Sequence, residues 1–241
     1  MIEAKGLTKR FGEQTVLREV DVRIDDGEFV AIMGPSGSGK STLLYLLSGI
    51  DTPDEGTVEL LGHELGTMSQ RALANLRLQQ LGFVFQQPRL LSTLSLLDNV
   101  MFPGMVAGKR NRDEVLARAR TLLAGADVAQ LEDRDVTQAS GGQLQRVAIC
   151  RALIGEPDVL FCDEPTGALN SANAMRVMQL IAREAKAGTT VVMVTHDAAV
   201  AAFADRVLML ADGAIVGDRR LTGNTDSRHT ELLQWLQEAH I

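Results

Sequence analysis

The sequence predicts an α/β fold with a mostly parallel sheet, an N-terminal antiparallel β subdomain and an inserted α-helical subdomain, and three observations predict it. Four short apolar runs, at residues 29–33, 82–85, 159–162 and 190–195, read as strands buried on both faces, as parallel strands are. Alternating segments at 2–7, 16–24 and 56–61 read as an antiparallel sheet beside them. Between Pro88 and Leu153 the strand signals vanish and helical spacing replaces them. A chain of 241 residues fits one large domain with a small insertion, since domains run about 100–200 residues.

Taken in order, the first buried strand ends at Gly34 and opens into a glycine-rich loop, followed by a helix over 42–47 that is apolar nearly all round. The second ends at Gln86. The helical insertion, about 88–153, includes Val115, Leu116, Ala119, Leu122 and Leu123 on one face, closed by Gly125, and a further helix over 144–153. The third strand ends in Asp163-Glu164. A helix over 171–186 sets Val177, Met178, Ile181, Ala182 and Ala185 on one face, with Gly188 at its end. The fourth strand ends in His196. In an open parallel sheet ligands bind beyond the carboxyl ends of the strands, so these endings are expected to converge on one site.

Composition narrows the function classes. The formal charge of −7 and an aromatic content of 4% argue against a nucleic-acid partner, which needs basic surface and stacking platforms. Cys150 and Cys162 each sit in an apolar stretch without metal or disulfide spacing, which points to a reducing cytosol. The start Met1-Ile2-Glu3-Ala4-Lys5 lacks the pattern of a signal peptide, and no stretch approaches the roughly 18 apolar residues of a membrane span. Work at a membrane would therefore go through a partner.

Gly34-Pro35-Ser36-Gly37-Ser38-Gly39-Lys40-Ser41 matches G-x-x-x-x-G-K-[ST] between an apolar strand and a helix that begins near Thr42, the context a phosphate loop requires. It makes the predicted core that of a P-loop NTPase, RecA-like. Glycines let the backbone wrap around phosphate oxygens, successive amides and the helix N-terminus supply positive potential, Lys40 bridges terminal phosphates, and Ser41 can ligate Mg²⁺. After the strand at 159–162, adjacent side chains diverge, so Asp163 and Glu164 take different jobs: Asp163 holds Mg²⁺ through water and Glu164 polarises the attacking water. His196 is placed to orient that water, or is simply a structural histidine at a strand end.

Ser140-Gly141-Gly142-Gln143 precedes a helix and lacks the lysine of a second phosphate loop. It resembles the signature motif of ABC transporter ATPases. The phosphate loop, Gln86, residues 140–143, Asp163-Glu164 and His196 fall in that family's order, five motifs across residues 1–217. The resemblance implies an ATP hydrolase that forms a head-to-tail, ATP-dependent dimer with a second copy of itself. In it, ATP and Mg²⁺ on one phosphate loop are closed over by Ser140, Gly141, Gly142 and Gln143 of the other copy. It also implies that Phe11 stacks on adenine with Val16 alongside, and that Gln86 senses Mg²⁺ and the attacking water. Residues 82–87 and 163–169 are most similar to a subgroup serving lipoprotein release, macrolide export and antimicrobial-peptide resistance, together with a cell-division relative. The partner so implied is a polytopic membrane permease, with the chain cytoplasmic and peripheral on the inner face of the membrane. A regulatory ATPase that signals through a membrane protein without moving a substrate fits the same residues.

Three positions depart from the family pattern. Ala139 stands where leucine is usual, Gly167 where many members have serine, and Asn170 where aspartate is usual. Leu90, Leu91, Leu94, Leu96, Leu97, Met101, Phe102 and Met105 form an apolar stretch that fits either the core of the helical subdomain or a core with a docking rim for a membrane-subunit helix. In the extension at 218–241, Leu232, Leu233, Trp235 and Leu236 suggest an amphipathic helix that packs on its own domain or meets a partner.

Overall fold

The computed structural model describes residues 1–167 and 169–238; Ala168, within the stretch after Asp163, and the end of the C-terminal extension lie outside the described residues. Its strands are β1 (Ile2–Phe11), β2 (Gln14–Ile24), β3 (Phe29–Met33), β4 (Glu55–Leu60), β5 (His63–Glu64), β6 (Leu81–Val84), β7 (Val159–Asp163), β8 (Thr190–Val194), β9 (Arg206–Ala211) and β10 (Ala214–Arg220). Its α-helices are α1 (Lys40–Leu47), α2 (Gln70–Gln80), α3 (Leu96–Ala107), α4 (Arg112–Gly125), α5 (Gly141–Leu153), α6 (Ser171–Lys186), α7 (Ala198–Ala201) and α8 (Thr225–Glu238). The chain forms two compact units, Met1–Leu73 with Thr190–Ile241, and Ala74–Thr189.

In the first unit the N-terminal segments build an antiparallel sheet in the order β2-β1-β4-β5. β1 runs on to Phe11, four residues past the alternating pattern, because Gly6 at φ 60 accommodates a register shift between Ala4 and Leu7 that realigns the strand. Beside it, β3 is fully buried and pairs in parallel with β8 on one edge and β9 on the other. The apolar runs do not predict the β9–β10 hairpin. Its signal is the turn dipeptide Asp212-Gly213, with φ 49 and 80, the left-handed pair a tight hairpin demands. Helix α1 lies against β8 and β2, burying Leu43, Leu44, Leu46 and Leu47.

The second unit holds the parallel pair β6–β7, with Val84 opposite Cys162, and the helices α3 to α6. Helix α5 is its centre, packed on α3, α4, α6 and β6, with Val147, Ala148, Ile149, Cys150 and Leu153 buried. The core is aliphatic, with Phe161 as a fully buried aromatic on which Phe83 stacks at 5.6 Å. Burial pushes the Cys150 thiol up to about 12 and raises that of Cys162 as well, so both are inert core residues. Strand β6 starts one residue earlier than its apolar run, and β10 runs through position 217.

Candidate functional site

In the first unit the chain leaves β3 at Gly34 and β8 at Thr195, side by side, since Thr195 N donates to Ile32 O at 3.2 Å. Gly34 has φ 148, and a Cβ there would stand 1.9 Å from Leu210 O, so only glycine lets the backbone turn out of the strand. Gly39, at φ 103, is the N-cap of α1 and supplies no side-chain cap, and the positive end of the helix dipole opens on the loop. A Cβ at Gly39 would meet Val16 O at 3.0 Å and Val16 Cγ1 at 3.3 Å, so Val16 packs directly against the loop. Lys40 Nζ donates to Gly34 O at 2.8 Å and Pro35 O at 2.7 Å, which holds the ammonium within the loop. Ser38 Oγ is buried without a hydrogen-bond partner, a donor turned inward with nothing to satisfy it from the protein. Pro35, Ser36 and Gly37 are exposed, while Ser41 and Thr42 are half-buried in the first turn of α1. An orphan hydroxyl, a helix N-terminus and a lysine inside a glycine cradle fit a polyphosphate.

Two further residues belong to this unit. Phe11 ends β1 beside the hairpin turn, paired with Gln14, and is 55% exposed, with Lys9 Nζ 5.3 Å from its ring centroid. Lys9 is anchored by Asp51 Oδ1 at 2.9 Å and Thr52 O at 2.7 Å, which fixes the platform on which the ring sits. His196 follows β8 and is exposed; Asp197 after it caps α7, accepting from Ala199 N at 2.8 Å.

In the second unit Asp163 closes β7, buried to 6% exposure, and Glu164 steps out of the strand at φ 46. That left-handed backbone costs a residue with a Cβ about 1–2 kcal/mol and turns Glu164 away from its neighbour, so the two carboxylates diverge. Gln86 follows β6 by two residues, and a Cβ on Gly167 would be 3.6 Å from its Nε2. Gln86 therefore lies against the loop after β7. A serine would fit at Gly167, whose departure from the family pattern carries no steric reason. At the start of α5, Ser140 Oγ accepts from Gln143 N at 3.4 Å and Gln143 Oε1 accepts from Ser140 N at 2.8 Å, a capping box. Gly141 faces open space, whereas a Cβ on Gly142 would come 3.2 Å from Leu169 Cδ2.

Residues 17–167, more than half of the chain, match the ABC transporter family. The chain belongs to that family. The macrolide export ATP-binding/permease protein MacB of Chlorobaculum tepidum is 46% identical over 224 residues, 91% of this chain and 34% of that protein. Its counterpart from Neisseria gonorrhoeae is 42% identical over 222 residues, again covering 34% of that protein. The chain thus spans about a third of the length of the curated relatives it matches. Among solved structures, a dimeric ATP-binding cassette in a post-hydrolysis state bound to ADP and Pi superposes with a TM-score of 0.86 at 39% identity, covering 92% of this chain and all of that one. A dimeric bacterial ABC transporter cassette gives 0.87 at 40% identity, with the same coverage. The fold is that of an ABC ATPase cassette, and the chain is an ATP hydrolase of the ABC type.

Motif reading alone passes over several polar side chains of the cassette. Asn99 is fully buried and holds residues 91–95 in place, its Oδ1 accepting from Leu91 N at 2.7 Å and its Nδ2 donating to Leu91 O and Ser95 O. Gln145, Arg146 and Arg151 of α5 likewise reach other segments of the second unit. Their signal is a polar residue recurring in a helix that buries Val147, Ala148, Ile149, Cys150 and Leu153. Of the apolar stretch, Leu96 and Met101 are buried, whereas Leu91, Phe102 and Met105 are exposed at 45%, 50% and 41%.

Proposed function

We propose that this cassette energises a membrane transporter, in a complex that exports or extracts a lipoprotein, drug or peptide. The observation that carries this reading is the kinship with relatives whose names join an ATP-binding part to a permease. ATP lies along the phosphate loop, with Gly34, Pro35, Ser36, Gly37, Ser38, Gly39, Lys40, Ser41 and Thr42 around its phosphates and Phe11 and Val16 at its base. Ser41, Gln86 and Asp163 would hold Mg²⁺, which would supply positive charge against the phosphates. Glu164 accepts a proton from the water that attacks the γ-phosphorus, His196 and Gln86 orient that water, and the bond to the bridging oxygen breaks to leave ADP and phosphate. Ser140, Gly141, Gly142 and Gln143 close on the ATP of a second copy, so hydrolysis times the opening and closing of a head-to-tail dimer. Residues 88–153 form the helical part that meets a cytoplasmic helix of the permease, with the chain peripheral on the inner face of the membrane. Among the described residues no helix is long and apolar enough to cross one.

The test is the Glu164→Gln variant, tagged and recovered from detergent-solubilised membranes with ATP and Mg²⁺. It should bind ATP yet lose at least about a hundredfold in turnover, the scale of a missing general base, and it should carry a polytopic membrane protein with it. Undiminished turnover would overturn the role of Glu164, and recovery of a soluble dimer alone would overturn the transport reading.

A further inference from the structure

The segment from Phe85 to Arg89 carries Gln86 away from the end of β6, and two side chains of α5 hold it by its carbonyl oxygens. Gln145 Nε2 donates to Phe85 O at 3.0 Å, one peptide before Gln86. Arg151 donates from Nη2 to Pro88 O at 2.8 Å and from Nη1 to Arg89 O at 2.7 Å. Three of the five carbonyls of the segment are therefore fixed to one helix. Arg89 adds a fold-back of its own: its backbone is left-handed at φ 46, and its guanidinium lies 4.7 Å from the Phe85 ring centroid. Gln145 is only 2% exposed, and its Oε1 has no hydrogen-bond partner. Burial also holds the Arg151 guanidinium below its ordinary pKa. A buried amide with an unpartnered oxygen is a costly core component, and Arg151, half-buried, commits its guanidinium to two main-chain carbonyls and not to solvent or a carboxylate.

The same helix begins with the capping box of Ser140 and Gln143, and Arg146 Nη1 donates to Asn173 Oδ1 at 2.9 Å in the first turn of α6. From Gly141 to Arg151 the helix rises roughly 15 Å, rigidly. We propose that Gln145 and Arg151 are positioning residues that lock the Gln86 segment to α5, so that Gln86 of one ATP site and the signature residues 140–143 facing the other site move as a single body. This rests on the roles proposed above for Gln86 and the signature. Its consequence is that closure at one nucleotide is transmitted to the other through main-chain carbonyl bonds, and Arg151, which touches neither nucleotide, governs the rate of the chemical step.

The experiment is a double-mutant cycle on the full chain between Arg151→Met and Gln86→Ala, read by steady-state ATPase kinetics and thermal melting, with Arg151→Lys and Gln145→Leu as companions. Arg151→Met should lower kcat by roughly tenfold, the order expected when a reacting group is misplaced by a fraction of an ångström, while KM for ATP stays within about twofold. In the Gln86→Ala background the same change should cost less than about twofold more, because residues acting through one another are not additive. Arg151→Lys, which keeps a donor but not the planar fork, should recover part of the loss. A parental kcat for Arg151→Met, or an additive loss in the cycle, overturns the proposal; so does a loss confined to melting temperature. If Arg151→Met does not fold, the cycle is run with Arg151→Lys and Gln145→Leu, and the same two results decide. A Gln86→Ala variant with parental kcat would overturn the role of Gln86 and the clamp with it, whereas a slow Gln86→Ala beside a parental Arg151→Met overturns the clamp alone.

Discussion

At the scale of single residues, Asn170 separates what a side chain does for the fold from what it does for activity. Its Oδ1 caps α6 by accepting from Asn173 N at 3.0 Å, and Asn173 in turn accepts from Arg146 of α5. An aspartate would cap at least as well and would add a charge favoured at a helix N-terminus by about 0.3–1 kcal/mol. Asn170→Asp is therefore expected to leave the melting temperature unchanged or slightly raised while altering ATPase rate or its cooperativity. The measurement is the rate at several ATP concentrations beside a melt, and unchanged kinetics would show that the position is only a cap. The glycine-rich loop between β3 and α1 is legible in the sequence, because consecutive residues define it, although α1 begins two residues earlier than expected, at Lys40. Gly34 shows why: its φ of 148 and the carbonyl of Leu210 against it admit one amino acid only.

At the scale of elements, legibility follows the range of the contacts. Helix α6 spans the 171–186 of its apolar stripe, and β3 its five-residue apolar run, because a buried stripe or run marks itself. The polar clamps of α5 are hidden, since each is defined by a partner distant in the chain, whereas the hairpin β9–β10 carries a local but slight signal, the dipeptide Asp212-Gly213. Helix α8 is an intermediate case. Its Leu232 is fully buried, Arg228 donates to Ala204 O at 3.0 Å, and Arg219 of β10 pairs with Glu231 at 3.1 Å. Trp235 lies so close to Gly217 that a Cβ there would be 2.6 Å from Cζ2. The extension thus packs on its own unit. Gly217→Val should displace the indole, red-shift the emission of the only tryptophan and cost about 1–3 kcal/mol by overpacking, read from denaturant unfolding. An unshifted spectrum would mean that the indole does not sit on Gly217 in solution.

At the scale of the whole molecule, the remaining question is where energy leaves the cassette. The stretch at 90–105 reads from sequence as core or as core with a rim, and hydrophobicity alone cannot divide the two, because both use leucine and methionine. Burial divides it residue by residue: Leu96 and Met101 go inward, while Leu91, Phe102, Met105 and Val106 stay exposed in the second unit. Asn99 pins the loop that presents Leu91, so that side chain is held out by a buried polar anchor and not left out by a poor fit. Exposed apolar side chains held in a fixed arrangement suit a helix laid in a groove. Leu91→Glu and Phe102→Glu should therefore keep stability within about 0.5 kcal/mol, as exposed substitutions do, and keep the ATPase activity of the detached cassette. On the proposed transport reading, the same variants should also lose association with membranes that hold a permease partner, measured by sedimentation with the membrane fraction. Retained sedimentation with intact activity would move the docking surface elsewhere; unfolding of both variants would return these side chains to the core.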